Sequence, residues 1–475
     1  MRRLSRLSDS DLASRVHERL NARLERHVDH PLVLALSGGA DSMALLGLTA
    51  DWATRNGRRL VAVTVDHGLN PDSPRWNALC AEAARAVGAD WRLCPWLGEK
   101  PATGLPAAAR AARHALIADT ARAVGARVIL FAHTADDVAE GDWMRTQGST
   151  LGTLREWVPS PAWPEGRGLM LLRPLLGERR EELRDWLTGR DADWIEDPAN
   201  DDDRFARARA RKVLNPLPAE EGLSAREPLA IGLARKGEGL GGEPVGTVTS
   251  YPFGYTHRFA VRASSPLPLG EGFSVRRSAA AATLAVTLLC ASGTTVPPRR
   301  DKLEALLARL RSSDDFTATL AGARLIATGD TITVGREPGR IACPETVLPI
   351  DTPAVWDGRY QITTPEPGWT VAPAAGRQNR LSQADRTILR TVHPALRPTL
   401  PVLMRDDGFG PVLAWRRASV TALGPRRLHL ALGETTQECH LHATIHGETP
   451  PTDLFSIQEL HQGGPHPPPT NRETR

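Results

Sequence analysis

Apolar residues recur at every fourth position early in the chain. Leu12, Val16, Leu20, Leu24 and Val28 follow Ser8, the pattern of an amphipathic helix over 8–28 with a serine cap. From Pro31 the pattern becomes short apolar runs alternating with helical periods. "LVLAL" (32–36) reads as a buried strand, 42–55 as a helix ending near Gly57, "LVAVTV" (60–65) as a second strand and "SPRWNALCAEAARAV" (73–87) as a helix stopped by Gly88. A strand "WRLCPW", a helix from about Leu105 to Val124 stopped by Gly125 and a strand "RVILFA" follow. The hexapeptide "ARAVGA" occurs at both 84 and 121, each time a helix end with glycine in the left-handed cap position before a new strand. This alternation predicts an α/β domain with a mostly parallel sheet. Ligands bind such sheets beyond the carboxyl ends of the strands, which singles out 37–42, 66–68 and 133–137.

The second half reads differently. Residues 215–277 are rich in Gly, Pro, Ser and Glu, and "NPLPAEEGLS" (215–224) returns as "SPLPLGEGFS" (265–274) with six of ten positions shared. The segment has no sustained periodicity and is expected to be a low-complexity insertion or linker. Over 278–343 a small α+β domain is expected, with a helix in "RRDKLEALLARLRS" and strands "FTATL", "ARLIAT" and "TITVGRE". The region 344–446 is Pro-rich and strand-like ("YQITT", "PVLAWRRASVTAL", "RLHLAL", "HLHATIH") and reads as a mainly β domain, with a disordered tail from Gly447. The expected order is thus an N-terminal helix (1–30), an α/β domain (31–214), the insertion, and two smaller domains.

A chain of 475 residues, 41% hydrophobic and 24% charged, has room for roughly three cores. A formal charge of +4 permits a nucleic-acid partner without requiring one. The five cysteines form no C-x-x-C pair, which argues against a disulfide scaffold, a zinc ribbon or an iron–sulfur site and favours a reducing cytoplasm. "CHLHATIH" (439–446) lacks a second ligand pair at zinc spacing. With no signal-type apolar core at the N-terminus and no run near the ~18 apolar residues of a membrane span, export and membrane insertion are not expected.

The chemistry concentrates at the first turn. Ser37-Gly38-Gly39-Ala40-Asp41-Ser42 stands between a buried strand and a helix, where backbone amides and hydroxyls face an anion at the positive helix end. Glycine lets the chain turn tightly and lets a ligand approach the backbone. Asp41 would repel a phosphate unless a cation lies between, and magnesium takes carboxylate and phosphate oxygens together. As a bland alternative, the same residues make a Gly-Gly turn with an ordinary Asp-Ser helix cap.

Taken with its neighbours, this loop is more specific. "SGGADS" after a strand, "VDHGLNPDS", "ARAARH" (109–114), "HTADDVAE", "RPLL" (173–176) and "WIEDPANDDDRFARARARKVL" (194–214) occur in an order that resembles the tRNA(Ile)-lysidine synthetases, a family of pyrophosphate-loop ATPases. The resemblance is strong over about 31–214 and weaker beyond. It implies ATP and Mg2+ as cofactors, with tRNA(Ile) bearing a CAU anticodon and free L-lysine as partners. The wobble cytidine would be adenylated at its C2 oxygen, and the lysine ε-amine would then displace AMP. It further implies that Ser37, Gly38, Gly39, Ala40, Asp41 and Ser42 hold the ATP phosphates. Asp41 and Asp137 are the magnesium candidates, and His133 contacts phosphates or adenylate. Arg113, with Arg110 three residues before it, lies near the adenylate or lysine, although His114 stands where the family often has Tyr. Asp136 would face solvent or cap a helix, and the backbone of Val63 and Val65 could pair with adenine.

Glu140 and Glu196 are candidates for the lysine amines, and no general base can be named. Arg204, Arg207 and Arg211 fall on one helical stripe suited to tRNA phosphates. Two rival readings are a tRNA thiolase, which lacks suitably placed cysteines here, and a non-catalytic tRNA-binding descendant, against which the intact "SGGADS" and "HTADD" argue. The oligomeric state is left open, a homodimer included.

Overall fold

The apolar runs of the first half become strands of one sheet. The computed structural model describes residues 2–149, 152–197, 206–214, 264–266, 269, 271–277, 279–312, 314–339, 345–405, 407–433 and 435–443. It divides into two compact units, Met1–Ser160 with Leu169–Gly254, and Pro161–Gly168 with Tyr255–Arg475.

In the first unit the order is α1 (Arg2–Arg23), β1 (Leu32–Ala35), α2 (Ala40–Arg55), β2 (Leu60–Asp66), α3 (Ser73–Ala86), β3 (Asp90–Pro95), α4 (Leu105–Ala123), β4 (Val128–Leu130), α5 (Ala135–Thr146), β5 (Trp157–Pro159), β6 (Met170–Leu172), α6 (Arg180–Thr188) and α7 (Ala206–Leu214). The strands lie in the order β3-β2-β1-β4-β6-β5. They pair in parallel except for the antiparallel β5–β6 pair. Residues of β1 and β4 are buried on both faces, which is why they read as unbroken apolar runs rather than alternating ones. The chain winds outward from β1 through β2 to β3 and then returns to β4 on the other side of β1. That reversal opens a crevice beyond the carboxyl ends of β1 and β4, where 37–42 and 133–137 lie. Helix α1 begins earlier than its apolar spacing implied and ends at Arg23, just before the buried Leu24.

The second unit contains β7 (Ser264–Pro266), β8 (Gly272–Arg276), α8 (Ala281–Ser292), α9 (Arg300–Leu310), β9 (Phe316–Leu320), β10 (Ala323–Thr328), β11 (Thr331–Arg336), β12 (Thr346–Val347), β13 (Ala354–Trp356), β14 (Tyr360–Thr363), β15 (Trp369–Pro373), α10 (Gln383–Thr391), β16 (Pro401–Arg405), β17 (Val412–Leu413), β18 (Ser419–Ala422), α11 (Leu423–Ala431) and α12 (His440–Ala443). Sheets of five, four and three strands run β7-β8-β11-β10-β9, β12-β15-β16-β17 and β13-β14-β18. Three expectations change here. The insertion placed at 215–277 ends too late: β8 carries the buried Phe273 and Val275 and pairs with β11, while 215–263 lie outside the described residues. "RLHLAL" is helical rather than a strand. Its alternation misleads because α11 buries Leu428, Leu430 and Ala431 together with Arg427, and Gly424-Pro425 supplies a first turn that tolerates proline. "HLHA" likewise forms α12. No described helix is long and apolar enough to cross a membrane.

Trp52 of α2 is 1% exposed, and its Nε1 donates to Asn21 Oδ1 of α1 at 2.9 Å. Trp52→Ala should cost the first unit about 3–5 kcal/mol through the cavity and the orphaned amide. Urea unfolding followed by hydrogen exchange in that unit measures it, and a loss below about 1 kcal/mol would contradict this packing.

Candidate active site

Helix α2 starts without a side-chain cap, in contrast to α5, where Thr134 and Asp137 form a capping box. At α2 the Ser42 hydroxyl instead donates back to Gly39 O at 2.9 Å and accepts from Ser37 Oγ at 3.2 Å, so both hydroxyls draw the turn closed. Gly38 has φ +83, and a Cβ there would meet Ile195 Cδ1 at 2.2 Å. Its carbonyl accepts from Ile195 N–H at 2.8 Å. Only glycine fits that conformation and that contact. Ser42 N–H donates to Gly39 O at 3.0 Å, so of the first-turn amides of α2 those of Ala40 and Asp41 are left for an anion.

Beside the loop stands a cluster of carboxylates tied by one guanidinium. Arg180, the first residue of α6, reaches Asp41 Oδ2 at 3.2 Å, Asp137 Oδ1 at 3.6 Å and Glu140 Oε1 at 3.0 Å. Burial works against its charge, but Asp41, Asp137 and Glu140 outweigh that and raise its pKa. Burial pushes the Asp41 carboxyl up, with Arg180 opposing and Asp137 adding to the rise. Asp137 and Glu140 lie three apart on α5 and face Arg207 and Arg211, four apart on α7, at 3.3 and 3.0 Å. Asp136 neither faces solvent nor caps α5. It is buried, accepts from the Arg180 backbone N–H at 2.8 Å and pairs with Arg179 at 3.0 Å, so it caps α6 instead.

The opposite wall is cationic. Arg173 donates through Nε to His133 Nδ1 at 3.1 Å and through Nη1 to Arg155 O at 2.7 Å, both neutral acceptors. Because arginine only donates, His133 carries its proton on Nε2. Burial first, and then Arg173, Arg110, Arg113 and Arg207, hold the His133 pKa well below its ordinary value. Arg113 is half-buried, and its Nε is enclosed with no hydrogen-bond partner. Burial and the nearby Arg110 and Arg207 lower its pKa to about 10. His114 is buried against Phe131, which stacks on His133 in turn. These guanidinium groups repel one another, so the pocket is built for an anion.

Most predicted residues therefore converge, with exceptions. Arg207 and Arg211 do form one stripe, but it is turned toward Asp137 and Glu140 instead of standing out toward tRNA, while Arg209 and Lys212 occupy the exposed face of α7. Arg204 lies outside the described residues. Glu140 is 2% exposed in the cluster, whereas Glu196 is exposed and pairs with Arg184 at 2.9 Å. Asp66 closes its own turn, accepting from Gly68 N–H at 2.8 Å and Asn77 at 3.0 Å, and the Val63 carbonyl accepts from Leu36 N–H at 2.9 Å. Sequence reasoning missed Arg173 and Arg180. Arg173 directly follows β6, so the strand-end rule would have found it once β6 was seen. Arg180 follows another arginine and carries no periodic signal.

A divalent cation fits this carboxylate wall. Asp41 Oδ1 and Glu140 Oε2 are buried without a hydrogen-bond partner, and Asp41 and Asp137 share one cation already. Among the described residues no group of three or more metal-binding side chains forms a closed site, so phosphate and water oxygens would complete the coordination.

The crevice, its lysine-free glycine turn and its divided charge define a nucleotide-binding domain of the PP-loop class, and residues 12–217 match the PP-loop domain family. A tRNA(Ile)-lysidine synthase of Caulobacter vibrioides is 41% identical over 89% of this chain and 98% of its own length. Relatives of the same description from Hyphomonas neptunium and a Bradyrhizobium species are 36% and 37% identical, over 76% and 65% of this chain and 94% and 90% of theirs. The chain belongs to the tRNA(Ile)-lysidine synthase family.

His114, whose pKa burial and the neighbouring Arg113 lower to about 3, is neutral in the folded protein. An unfolded histidine binds a proton below pH ~6.5, so stability should fall as pH drops through that value. The thermal midpoint of the first unit should decline from pH ~7.5 to ~5, and His114→Phe should flatten the decline. An unchanged slope in the variant would remove His114 as a source.

Proposed function

We propose that the crevice beyond β1 and β4 adenylates the wobble cytidine of CAU-bearing tRNA(Ile) and then joins lysine to it. The observation that carries this reading is the division of charge: an anion-seeking wall of arginines and uncapped amides faces a carboxylate wall across one crevice. Triphosphate suits the first wall and the lysine ammonium groups suit the second. The cytidine C2 oxygen attacks the α-phosphorus and the bond to pyrophosphate breaks. The lysine ε-nitrogen then attacks C2, AMP leaves with the oxygen, and the amine releases its proton.

Loop 37–42 receives the phosphates on its amides and hydroxyls. His133, protonated at Nε2 and held by Arg173, donates to a phosphate oxygen, and Arg113 neutralises the charge that develops in the transition state. Asp41 and Asp137 would hold magnesium, which supplies positive charge to the phosphate oxygens when bound. Glu140 orients a lysine amine. The β1–β2 register ends at Ala35 and Val63, which leaves Val65 as the backbone edge for adenine. Arg209 and Lys212 present α7 to the tRNA backbone. Cys80 gives a thiolase reading no support: it lies under the loop, where burial raises its thiol pKa.

Purified protein given tRNA(Ile) transcript, labelled lysine, ATP and magnesium should incorporate lysine and release AMP. Binding of tRNA with no ATP turnover would favour a non-catalytic descendant. Asp41→Ala should slow incorporation by roughly 100-fold or more, and a rate near that of the parent protein would refute its role. Arg209→Ala with Lys212→Ala should weaken tRNA binding and lower the slope of log K against log salt by about one to two. An unaltered slope would exclude that face of α7.

A further inference from the structure

Glu178 lies on the turn from β6 to α6 and is only 2% exposed. Its Oε2 accepts from Arg15 Nη2 at 2.6 Å and Nε at 3.1 Å, and its Oε1 pairs with Arg19 Nη1. Arg19 Nη1 also donates to Pro174 O at 2.9 Å. A Cβ at Gly177 would come within 2.8 Å of Arg19 Nη2, so the turn is shaped to receive that side chain. The Glu178 backbone joins the arrangement, its N–H donating to Leu175 O at 2.9 Å and its carbonyl accepting from Ala135 N–H, the first residue of α5, at 2.9 Å. Burial alone would raise the Glu178 carboxyl pKa, but Arg15 and Arg19 more than reverse this.

This turn carries a cleft arginine at each end. Arg173 precedes it and holds His133, and Arg180 follows it and holds Asp41, Asp137 and Glu140. Neither Arg15 nor Arg19 has a partner in the cleft. Two guanidinium groups on one buried carboxylate fix position far more tightly than an exposed pair would, and small misplacements of charged groups are costly in a reacting site.

We infer that Glu178, gripped by Arg15 and Arg19 of α1, is a positioning residue that sets Arg180 at its carboxylate partners before substrates arrive. Its kinetic readout rests on the lysine-joining function proposed above. Because Glu178 acts through Arg180, its loss should matter little once Arg180 is gone.

The experiment compares Glu178→Gln, Arg180→Ala, the double variant, Arg19→Ala and Arg19→Lys. It follows lysine incorporation well below each thermal midpoint, alongside amide exchange at Ala135 and Arg180. Glu178→Gln should lower kcat about tenfold and raise the lysine KM, Arg19→Lys should stay within about threefold of the parent, and adding Glu178→Gln to Arg180→Ala should change kcat by less than about twofold. Exchange at both amides should speed up in Glu178→Gln. If that variant does not fold, Arg19→Ala takes its place in the cycle with the same expectation. Kinetics unchanged in the single variants, or losses that multiply in the double variant, would overturn the inference. A parent protein that incorporates no lysine would instead refute the proposed function, and the positioning claim would then stand or fall on the amide exchange.

Discussion

Three carboxylates cannot share a half-closed crevice unless cations stand among them, and Arg180 is the cation on which the arrangement turns. It touches Asp41, Asp137 and Glu140 together, and Arg207 and Arg211 complete the neutralisation from α7. Across the crevice the balance is reversed. Arg173 is bonded to neutral groups, and Arg113 has an enclosed Nε without a hydrogen-bond partner. Removing Arg180 would leave three buried carboxylates short of a counter-charge, the costly case for ion pairs away from water. An anion gains on the arginine side, whereas a cation reaches the carboxylates by taking the place of one of their guanidinium partners.

The fold brings the two walls together economically. Reversal of strand order at β1 places the ends of β1 and β4 side by side, so a loop near residue 40 and a helix start near residue 135 become neighbours. The β5–β6 hairpin extends the sheet past β4 and delivers the 173–180 turn to the same edge. Helix α1 then packs outside that turn. Residues distant in sequence are thus brought to one site, and most of them sit at element ends, where backbone amides are still available.

How much of this was legible follows from what each residue answers to. Ser37–Ser42, His133 and Asp137 stand out in the sequence because strand ends and helix starts have local signals: an apolar run, a glycine turn, a capping residue. Burial on both faces also made β1, β2 and β4 readable as unbroken runs. Arg180 was not found, since its role depends on three carboxylates from α2 and α5 and nothing within its own segment marks it. The stripe of Arg207 and Arg211 was read correctly as a stripe, but helical periodicity gives spacing without facing. Which way it points was decided by Asp137 and Glu140 on the neighbouring helix. In the second unit, "RLHLAL" failed for a related reason: a helix buried on several sides loses the period that distinguishes it from a strand.

The charge division also constrains how the two proposed steps can follow one another. On the proposed function, a lysine ammonium entering the carboxylate wall would meet sites that Arg180 and Arg211 already fill, and would have to replace one cation by another. Such an exchange keeps the buried charge constant and avoids the desolvation cost of adding an unpaired ion. Losing the ammonium proton alters that balance, because a neutral amine no longer compensates Glu140. Arg180 is close enough to compensate again as the amine turns nucleophilic. On this reading the guanidinium works as a movable counter-charge, which requires that its backbone be anchored while its side chain is free to shift between carboxylates. Asp136 holds the Arg180 amide and is not bonded to the guanidinium itself.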